Sequence, residues 1–266
     1  MQNQLRELSI ECGTVLKAAE NWEADYMLDQ QSFRQLVRAE ASLEDSLKRY
    51  FKGLYSRLYK LIDFKEYRIR AIKAYDVVVK VDDAAFEEEI VIMLKFVVDD
   101  MKQAVTAGVA ASIARYSPGY PLTSWDAEVS KAVNTLSMKD VKGIMGTTRD
   151  LMQTSLQTSI NLHETNQQAM LRLREYIDND ERALTIARTE SVRAYSAGTL
   201  SFGRVSGATH KIWHTVADPC IICEGNDEQT VTIDDVFSSG DDAAPAHPNC
   251  RCSVALIFSD GSETYN

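Results

Sequence analysis

The sequence predicts an α+β fold, in which a predominantly helical N-terminal part precedes a small, metal-stabilised, β-containing C-terminal module. Apolar residues recur at helical spacing along most of the chain as far as Gly203. Short alternating runs with β-prone residues follow only after Gly207. Four of the five cysteines lie in the last fifty residues, in two close pairs. These three observations indicate a helical scaffold with a cross-linked C-terminal end.

Composition excludes several classes of protein. A hydrophobic content of 45% in 266 residues is enough for a sizeable core. A net charge of −10 argues against a surface that binds nucleic acid throughout, because phosphate binding requires Lys and Arg. We expect no membrane span and no secretory signal, since long apolar runs and a basic n-region are missing. We therefore expect the chain to fold in a reducing compartment, where clustered cysteines are more often metal ligands than disulfides.

Two helices are predicted at the start of the chain. Residues 1–24 form an amphipathic pattern, with Cys12 as a small buried side chain on its apolar face. A longer helix, of about 30 residues by its apolar period, begins at Ser32. Aromatic and basic side chains alternate over residues 48–70, a mixture that can bind single-stranded nucleic acid. We favour the more common interpretation of a solvated helix face.

The middle of the chain predicts a strand and further helices. Residues 75–81 are β-branched and favour a short strand, and Asp82–Asp83 indicate the start of a helix that is apolar on much of its circumference. We expect this helix at the centre of a bundle, ending in the Pro- and Gly-rich residues 117–121. Residues 124–146 predict two short helices, the second capped by Ser137.

Two contrasting helical segments follow. Residues 147–169 are rich in Thr, Ser and Gln, which predicts a helix that is solvent-exposed or completed by a partner. Residues 179–203 predict a helix with a narrow stripe of small residues, so that another element can approach closely. Glu190 lies beside the stripe, and we expect it to pair with a neighbouring arginine or with the backbone of the C-terminal segment. The stripe comprises Ala183, Ala187, Ser191, Ala194 and Gly198.

The last part of the chain predicts three short strands, over residues 210–216, 229–233 and 252–258. Three such strands cannot hold a core alone, and a bound metal would supply the missing stability. Eight acidic residues and no Lys or Arg lie between Val216 and Cys250, and residues 238–246 predict a loop.

The metal-capable residues form two groups. Cys220 and Cys223 are separated by two residues, so one turn can present both sulfurs to one ion. His247 and Cys250 have the same gap, and Cys252 is a fifth candidate. Zinc takes four thiolate or imidazole ligands in a tetrahedron. We therefore predict a structural zinc site, with four thiolates or with His247 and three; with four thiolates, His247 lies beside the ligands.

Other interpretations of the cysteines were weighed. The 26 residues between Cys223 and Cys250 exceed the common zinc-ribbon spacing, so disulfides in a mature extracellular particle, or free thiols, are the alternatives. Pro219-Cys220-x-x-Cys223 matches half of the zinc deaminase signature, but the His-x-Glu half is missing: His163 is followed directly by Glu164. Four protein ligands also leave no open position for catalysis.

Several of these residues, taken in order, resemble the Mu F-like minor head proteins of tailed phages, also called phage head morphogenesis proteins. The resemblance covers about residues 135–258. The chain departs from the family in its short Asp218-Pro219-Cys220 junction and in an acidic insertion before His247. Neither change removes a predicted ligand. The resemblance is carried by the run Ile186-Ala187-Arg188-Thr189-Glu190, by Trp213 and Asp218, by Cys220 and Cys223, and by His247-Pro248-Asn249-Cys250-Arg251-Cys252.

The resemblance implies a function and a division of the chain. It implies a non-enzymatic minor capsid protein, bound to the portal protein inside the head near the portal vertex and assembled in the host cytoplasm. It implies roles in head assembly and in DNA packaging or ejection, with major capsid or scaffolding protein as further candidate partners and at most weak contact with packaged DNA. The predicted segments are a helical domain (1–122), the helical part of the Mu F-like domain (123–203) and the β- and zinc-containing module (204–266).

Two other functions were considered. One is an enzyme acting on nucleic acid or nucleotide, with a metal at the C-terminal cysteines and Glu190 as a catalytic group. An exposed pocket at Glu190 and an open metal position would favour it. The other is a secreted toxin-delivery module, which we rank lower because we expect no further domain after residue 266.

Overall fold

The computed structural model describes residues 30–73, 81–117, 121–216 and 219–259. Long helices occupy most of this part of the chain and a small antiparallel sheet lies near its C-terminal end, which confirms the predicted α+β class. The helix predicted over residues 1–24, including Cys12, lies outside the described residues. Of the strand predicted over 75–81, only Val81 is described, in an isolated bridge with Ile62.

The first helices follow the predicted apolar periods. They are α1 (Gln30–Leu61), α2 (Phe64–Lys73) and α3 (Asp83–Tyr116). Asp82 starts α3 as an N-cap, because its Oδ1 accepts a hydrogen bond from the backbone N–H of Ala85 at 2.8 Å. Buried apolar side chains recur every three or four residues along α1, as one helix face requires, and Phe51 widens this face: Leu36, Ala39, Leu43, Leu47, Tyr50, Leu54, Leu58 and Leu61.

A single helix, α4 (Asp126–Asn161), replaces the two short helices predicted over residues 124–146, and that prediction is wrong. A 3-10 helix, Leu122–Trp125, precedes it. Ser137 is buried inside α4 instead of capping a new helix. Gly143 and Gly146 lie inside α4, and each lowers the stability of the helix by about 1 kcal/mol. Burial of the helix's apolar face contributes more than this loss. That face is formed by Val133, Val141, Met145, Met152 and Leu156.

The polar stretch predicted as exposed or partner-covered has one side covered by this chain itself, while other residues, such as Thr147 and Thr154, are exposed. Thr148, Ser155 and Ser159 are all buried on α4. Thr148 Oγ1 accepts a hydrogen bond of 2.7 Å from Arg182 Nη2. A turn then leads to α5 (Asn166–Ile177), which begins with a capping box formed by Thr165 and Gln168.

The long C-terminal helix, α6 (Asp180–Ser206), has the predicted stripe of small residues on its buried side. At Gly198 the backbone of α3 approaches so closely that an added Cβ would clash with the carbonyl oxygen of Val105. Gly108 on α3 has the same relation to the carbonyl oxygen of Tyr195. The two helices therefore pack backbone to backbone at this crossing, which confirms the predicted close approach.

The sheet has three antiparallel strands in the order β2-β1-β3. They are β1 (His210–His214), β2 (Thr230–Thr232) and β3 (Ser253–Ile257), so all three predicted strands are confirmed. A short helix, α7 (Ile221–Asn226), lies between β1 and β2. The register pairs His210 with both Thr232 and Ile257, so β1 is the central strand.

The chain forms two compact units, and neither is continuous in sequence. The first unit comprises the described residues of Met1–Leu43, Asp99–Leu136 and Thr185–Asn266, and contains the sheet and the cysteine pairs. The second unit comprises those of Glu44–Val98 and Ser137–Leu184. The division into 1–122, 123–203 and 204–266 stays a prediction. Within the described ranges, no helix is both long and apolar enough to cross a bilayer.

Candidate metal centre

The two cysteine pairs meet at the start of α7. Cys220 is the N-cap residue of this helix and Cys223 lies in its first turn, so both sulfurs point to one side. His247 approaches from the segment before β3, with Nε2 at 3.1 Å from Cys220 Sγ and at 3.1 Å from Cys223 Sγ. Cys250 Sγ lies 3.7 Å from Cys223 Sγ. Together with Cys252, the five predicted ligands form one cluster, here called the Cys–His cluster.

The donor atoms fall into two overlapping groups with Cys223 in common. Cys220, Cys223 and His247 form one, and Cys223, Cys250 and Cys252 form the other; within each, the donor atoms lie within 4.8 Å of one another. A tetrahedral zinc with Zn–S bonds of about 2.3 Å has S–S edges of about 3.8 Å, close to the Cys223–Cys250 distance. The four cysteines of the Cys–His cluster are free thiols, and among them only Cys220 is partly exposed. The Cys–His cluster can therefore hold a metal ion.

The imidazole of His247 is oriented by its own backbone neighbour. Its Nδ1 lies 2.8 Å from the carbonyl oxygen of Pro248, which can only accept, so Nδ1–H is the donor. Nε2 is left to face the sulfurs, and this is the arrangement found in histidines that bind metals. The hydrogen bond with Cys250 raises the pKa of His247 to about 9. A metal ion at Nε2 would therefore have to displace a proton.

The thiols share a negative charge when no metal is bound. Hydrogen bonds from Cys223 and Cys252, together with the nearby His247, hold the pKa of Cys250 well below its ordinary value. The hydrogen bond to Cys250 raises the pKa of Cys223 in turn. One thiolate at the centre of the cluster attracts a cation, and each further ligand must release its proton on binding.

The turn that carries His247 and Cys250 is held by α6. Asn249 in this turn has a φ of 61°, in the left-handed region that Asn tolerates better than most residues. Its backbone N–H donates to Thr189 Oγ1 at 3.0 Å. Thr189, one of the motif residues, therefore fixes the backbone between two of the predicted ligands.

The same turn is fixed by a buried ion pair. Arg251 lies between Cys250 and Cys252, and only 1% of its side chain is exposed. Its Nη1 and Nη2 donate to the two carboxylate oxygens of Glu40 at 2.6 and 2.8 Å. Arg188 Nε lies 3.5 Å from the same carboxylate. Glu40, on α1, thus binds two motif arginines, and sequence reasoning missed it because its neighbours in sequence make it look like an ordinary surface residue.

The remaining motif residues have structural surroundings. Glu190 accepts a hydrogen bond of 2.9 Å from Arg193 Nε, which confirms the predicted pairing with a neighbouring arginine. Trp213 on β1 is fully buried and meets Phe237 edge-on, with ring centroids 5.1 Å apart. Asp218 lies outside the described residues.

The long loop between β2 and β3 is tied down at several points, although it has no regular structure. The ammonium of Lys211 is fully buried and pairs with the carboxylate of Asp242. Arg204 on α6 lies 3.4 Å from the same residue. Asn226 Oδ1 accepts hydrogen bonds from Ser238 Oγ at 2.8 Å and from Ser239 N at 3.2 Å. These contacts fix the middle of the loop, a few residues before His247.

These residues form an α+β module in which α6 packs against a small sheet. Its cluster of four cysteines and one histidine can hold a metal ion, and the buried Arg251 fixes the turn between two of the cysteines. Residues 150–255 match the family described as Phage Mu protein F like protein. They include all of α6, strands β1 and β2, the first part of β3 and the whole cluster. This match confirms the resemblance to the Mu F-like family over that segment, which is less than half of the chain. No curated protein and no solved structure matches the chain.

Proposed function

We propose that this protein binds the portal protein inside the phage head, near the portal vertex, and supports head assembly and DNA packaging or ejection. The observation that carries the proposal is the family match over residues 150–255. The matched segment contains all five residues of the Cys–His cluster and the motif residues that hold it. Major capsid and scaffolding proteins are further candidate partners in the same assembly.

We also assign a structural zinc ion to the Cys–His cluster. Cys223, Cys250 and Cys252 are buried together and are expected in the ligand set, with Cys220 or His247 as the fourth ligand. Sulfur and imidazole donors suit zinc. The ion would supply a cross-link between α7 and the segment that leads into β3.

A non-enzymatic role is better supported than an enzymatic one. Four protein ligands leave no coordination position for a substrate or water. The carboxylate of Glu190, the candidate catalytic group, is engaged by Arg193. Weak contact with packaged DNA, if made, involves surfaces other than residues 217–249, since that segment has no Lys or Arg.

Co-purification with the portal protein of the same phage tests the proposal. The full chain, tagged and co-expressed with the portal protein, should elute with it from size-exclusion chromatography. The major capsid protein, co-expressed in the same way, measures binding to another head protein. A folded, metal-loaded chain that elutes apart from the portal protein under these conditions would contradict portal association.

A further inference from the structure

The first turn of α7 exposes two apolar side chains. Ile221 and Ile222 lie between Cys220 and Cys223, and they are 82% and 47% exposed. Single exposed apolar residues are common on protein surfaces. Two adjacent isoleucines on a turn that is fixed on both sides by cluster sulfurs are different, because they cannot reorient towards a core. We call this pair the isoleucine tip.

The surroundings of the isoleucine tip are acidic. Residues 217–249 contain eight Asp and Glu residues and no Lys or Arg. Glu224, Asp227 and Glu228, which follow the tip directly in sequence, are all exposed. Residues 217–249 thus combine two exposed apolar side chains with acidic residues and no Lys or Arg.

This combination selects the kind of partner. Nucleic acid and anionic lipid surfaces carry the same sign of charge and are repelled. A protein surface with an apolar pocket and a basic rim is complementary in both respects. In such interfaces one buried side chain at the centre supplies most of the affinity, while charges at the rim steer association.

We propose that the isoleucine tip is a docking surface and that its occupant is a basic patch with an apolar centre on the portal protein. This inference rests on the proposed portal association and names the surface that makes it. Ile221, the more exposed residue, inserts into the apolar centre. Glu224 contributes to the acidic rim.

Ile221→Ser in the full chain tests the apolar contact. Loss of one buried isoleucine should weaken binding to the purified portal protein by about tenfold or more. Metal content and protease resistance should stay as in the unmodified chain, since the side chain is outside the core. Leu171→Ser on α5, where the leucine is 53% exposed, is the matched control and should leave portal binding unchanged.

Glu224→Lys tests the contact of the acidic rim separately from the apolar contact of the isoleucine tip. The variant should bind the portal protein more weakly, and its affinity should depend less steeply on salt concentration. Glu88→Lys, an exposed position on α3, makes the same charge change elsewhere as a control.

Binding by the unmodified chain separates the possible failures. If it binds the portal protein, and Ile221→Ser and Glu224→Lys bind equally well, the docking surface is wrong and portal association stands. If the unmodified, folded chain does not bind the portal protein, both the docking surface and the portal association are wrong. Weakened binding in both variants, with unchanged controls, supports the inference.

Discussion

The second unit and the C-terminal module, residues 204–259 of the first unit, are stabilised in different ways. The second unit consists of helices long enough to bury continuous apolar faces, with Tyr50, Phe51 and Leu54 at 1% exposure or less. The module has strands of five, three and five residues and a long irregular loop. Trp213, Phe237 and Leu256 are buried in the module, but strands this short need support from other elements for independent stability. The Arg251–Glu40 and Lys211–Asp242 ion pairs give such support, and a metal bound at the Cys–His cluster would add a cross-link.

Each unit contains a carboxylate bound by an arginine, but the two pairs serve different purposes. In the second unit, Arg57 binds Glu89 at 2.6 and 2.7 Å. Burial, together with the charge of Glu89, raises the pKa of the nearby Tyr50 above its ordinary value. That pair adds to a core that apolar contacts already support. The Arg251–Glu40 pair instead fixes the turn that carries predicted ligands of the Cys–His cluster.

Cys250→Ser should have the largest effect, because it tests whether the metal holds the module. Structural zinc contributes on the order of 10 kcal/mol in small domains, so its loss should unfold the part of the chain after residue 200. Helical structure in the second unit should persist. Elemental analysis should find about one zinc per unmodified chain, as a single tetrahedral site requires, and limited proteolysis should report the unfolding.

Cys12→Ser is the matched control for this experiment, since it removes the one cysteine that lies outside the cluster in sequence. It should retain the metal and the protease resistance of the module. If Cys250→Ser keeps full protease resistance after residue 200, the cluster is not what holds the module. A metal-free protein in which all four cluster thiols react freely under native conditions would contradict the zinc assignment.

Glu40→Gln should have the second largest effect. Removing the charge of one partner leaves Arg251 buried without its counter-ion, at a cost of about 3 kcal/mol or more in the free energy of unfolding. The turn should loosen, so a chelator should remove the metal faster. Denaturant unfolding and the rate of metal loss measure the two effects.

Two further variants show whether the effect of Glu40→Gln is specific to the buried ion pair. Glu89→Gln should also lower stability, but metal loss should be unaffected, because that pair belongs to the helical core of the second unit. The double variant Glu40→Met/Arg251→Met should recover much of the lost stability, because the fully buried guanidinium of Arg251 is removed together with its partner. Arg188 also loses Glu40 in this variant, but its side chain is partly exposed to solvent. If Glu40→Gln releases metal no faster than Glu89→Gln, the buried pair does not position the ligands.

The smallest effects are expected at two glycines, one without and one with room for an added Cβ. Gly198→Ala should destabilise the first unit by about 1–3 kcal/mol, because the added Cβ would clash with the backbone of α3. Gly143→Ala in α4 has no atom within 4 Å of the added Cβ and should stabilise by about 0.5–1 kcal/mol. Thermal unfolding of the two variants should therefore shift in opposite directions. Equal shifts would contradict the packing described for both helices.

The sequence was most informative where a pattern is local. Helical periods located α1, α3 and α6, because one apolar face leaves a regular spacing. The cluster residues could be predicted for the same reason, since each close pair lies within a single turn. The prediction of two short helices over 124–146 is wrong because Ser137 was taken as the cap of a second helix, whereas it is buried inside the continuous α4.

Contacts between distant residues left no local signal. Arg182 hydrogen-bonds to Thr148 and lies over the ring of Phe51 at 4.5 Å. Burial lowers the pKa of this arginine to about 10. Because Arg182 donates a hydrogen bond to its hydroxyl, Thr148 can be buried. The polar composition of the segment alone predicts that this side chain is exposed. Glu40 is a similar case, because only the folded chain brings it to Arg251.

The Arg251–Glu40 contact also sets an order of events during synthesis. The two residues are 211 positions apart. A ribosome that adds about 5–20 residues per second makes Glu40 roughly 10–40 s before Arg251. The helices can form during this interval, but the turn with the last two cysteines cannot close on α1 until Arg251 has been made. A chain that lacks Arg251 could form its helices but could not make this contact.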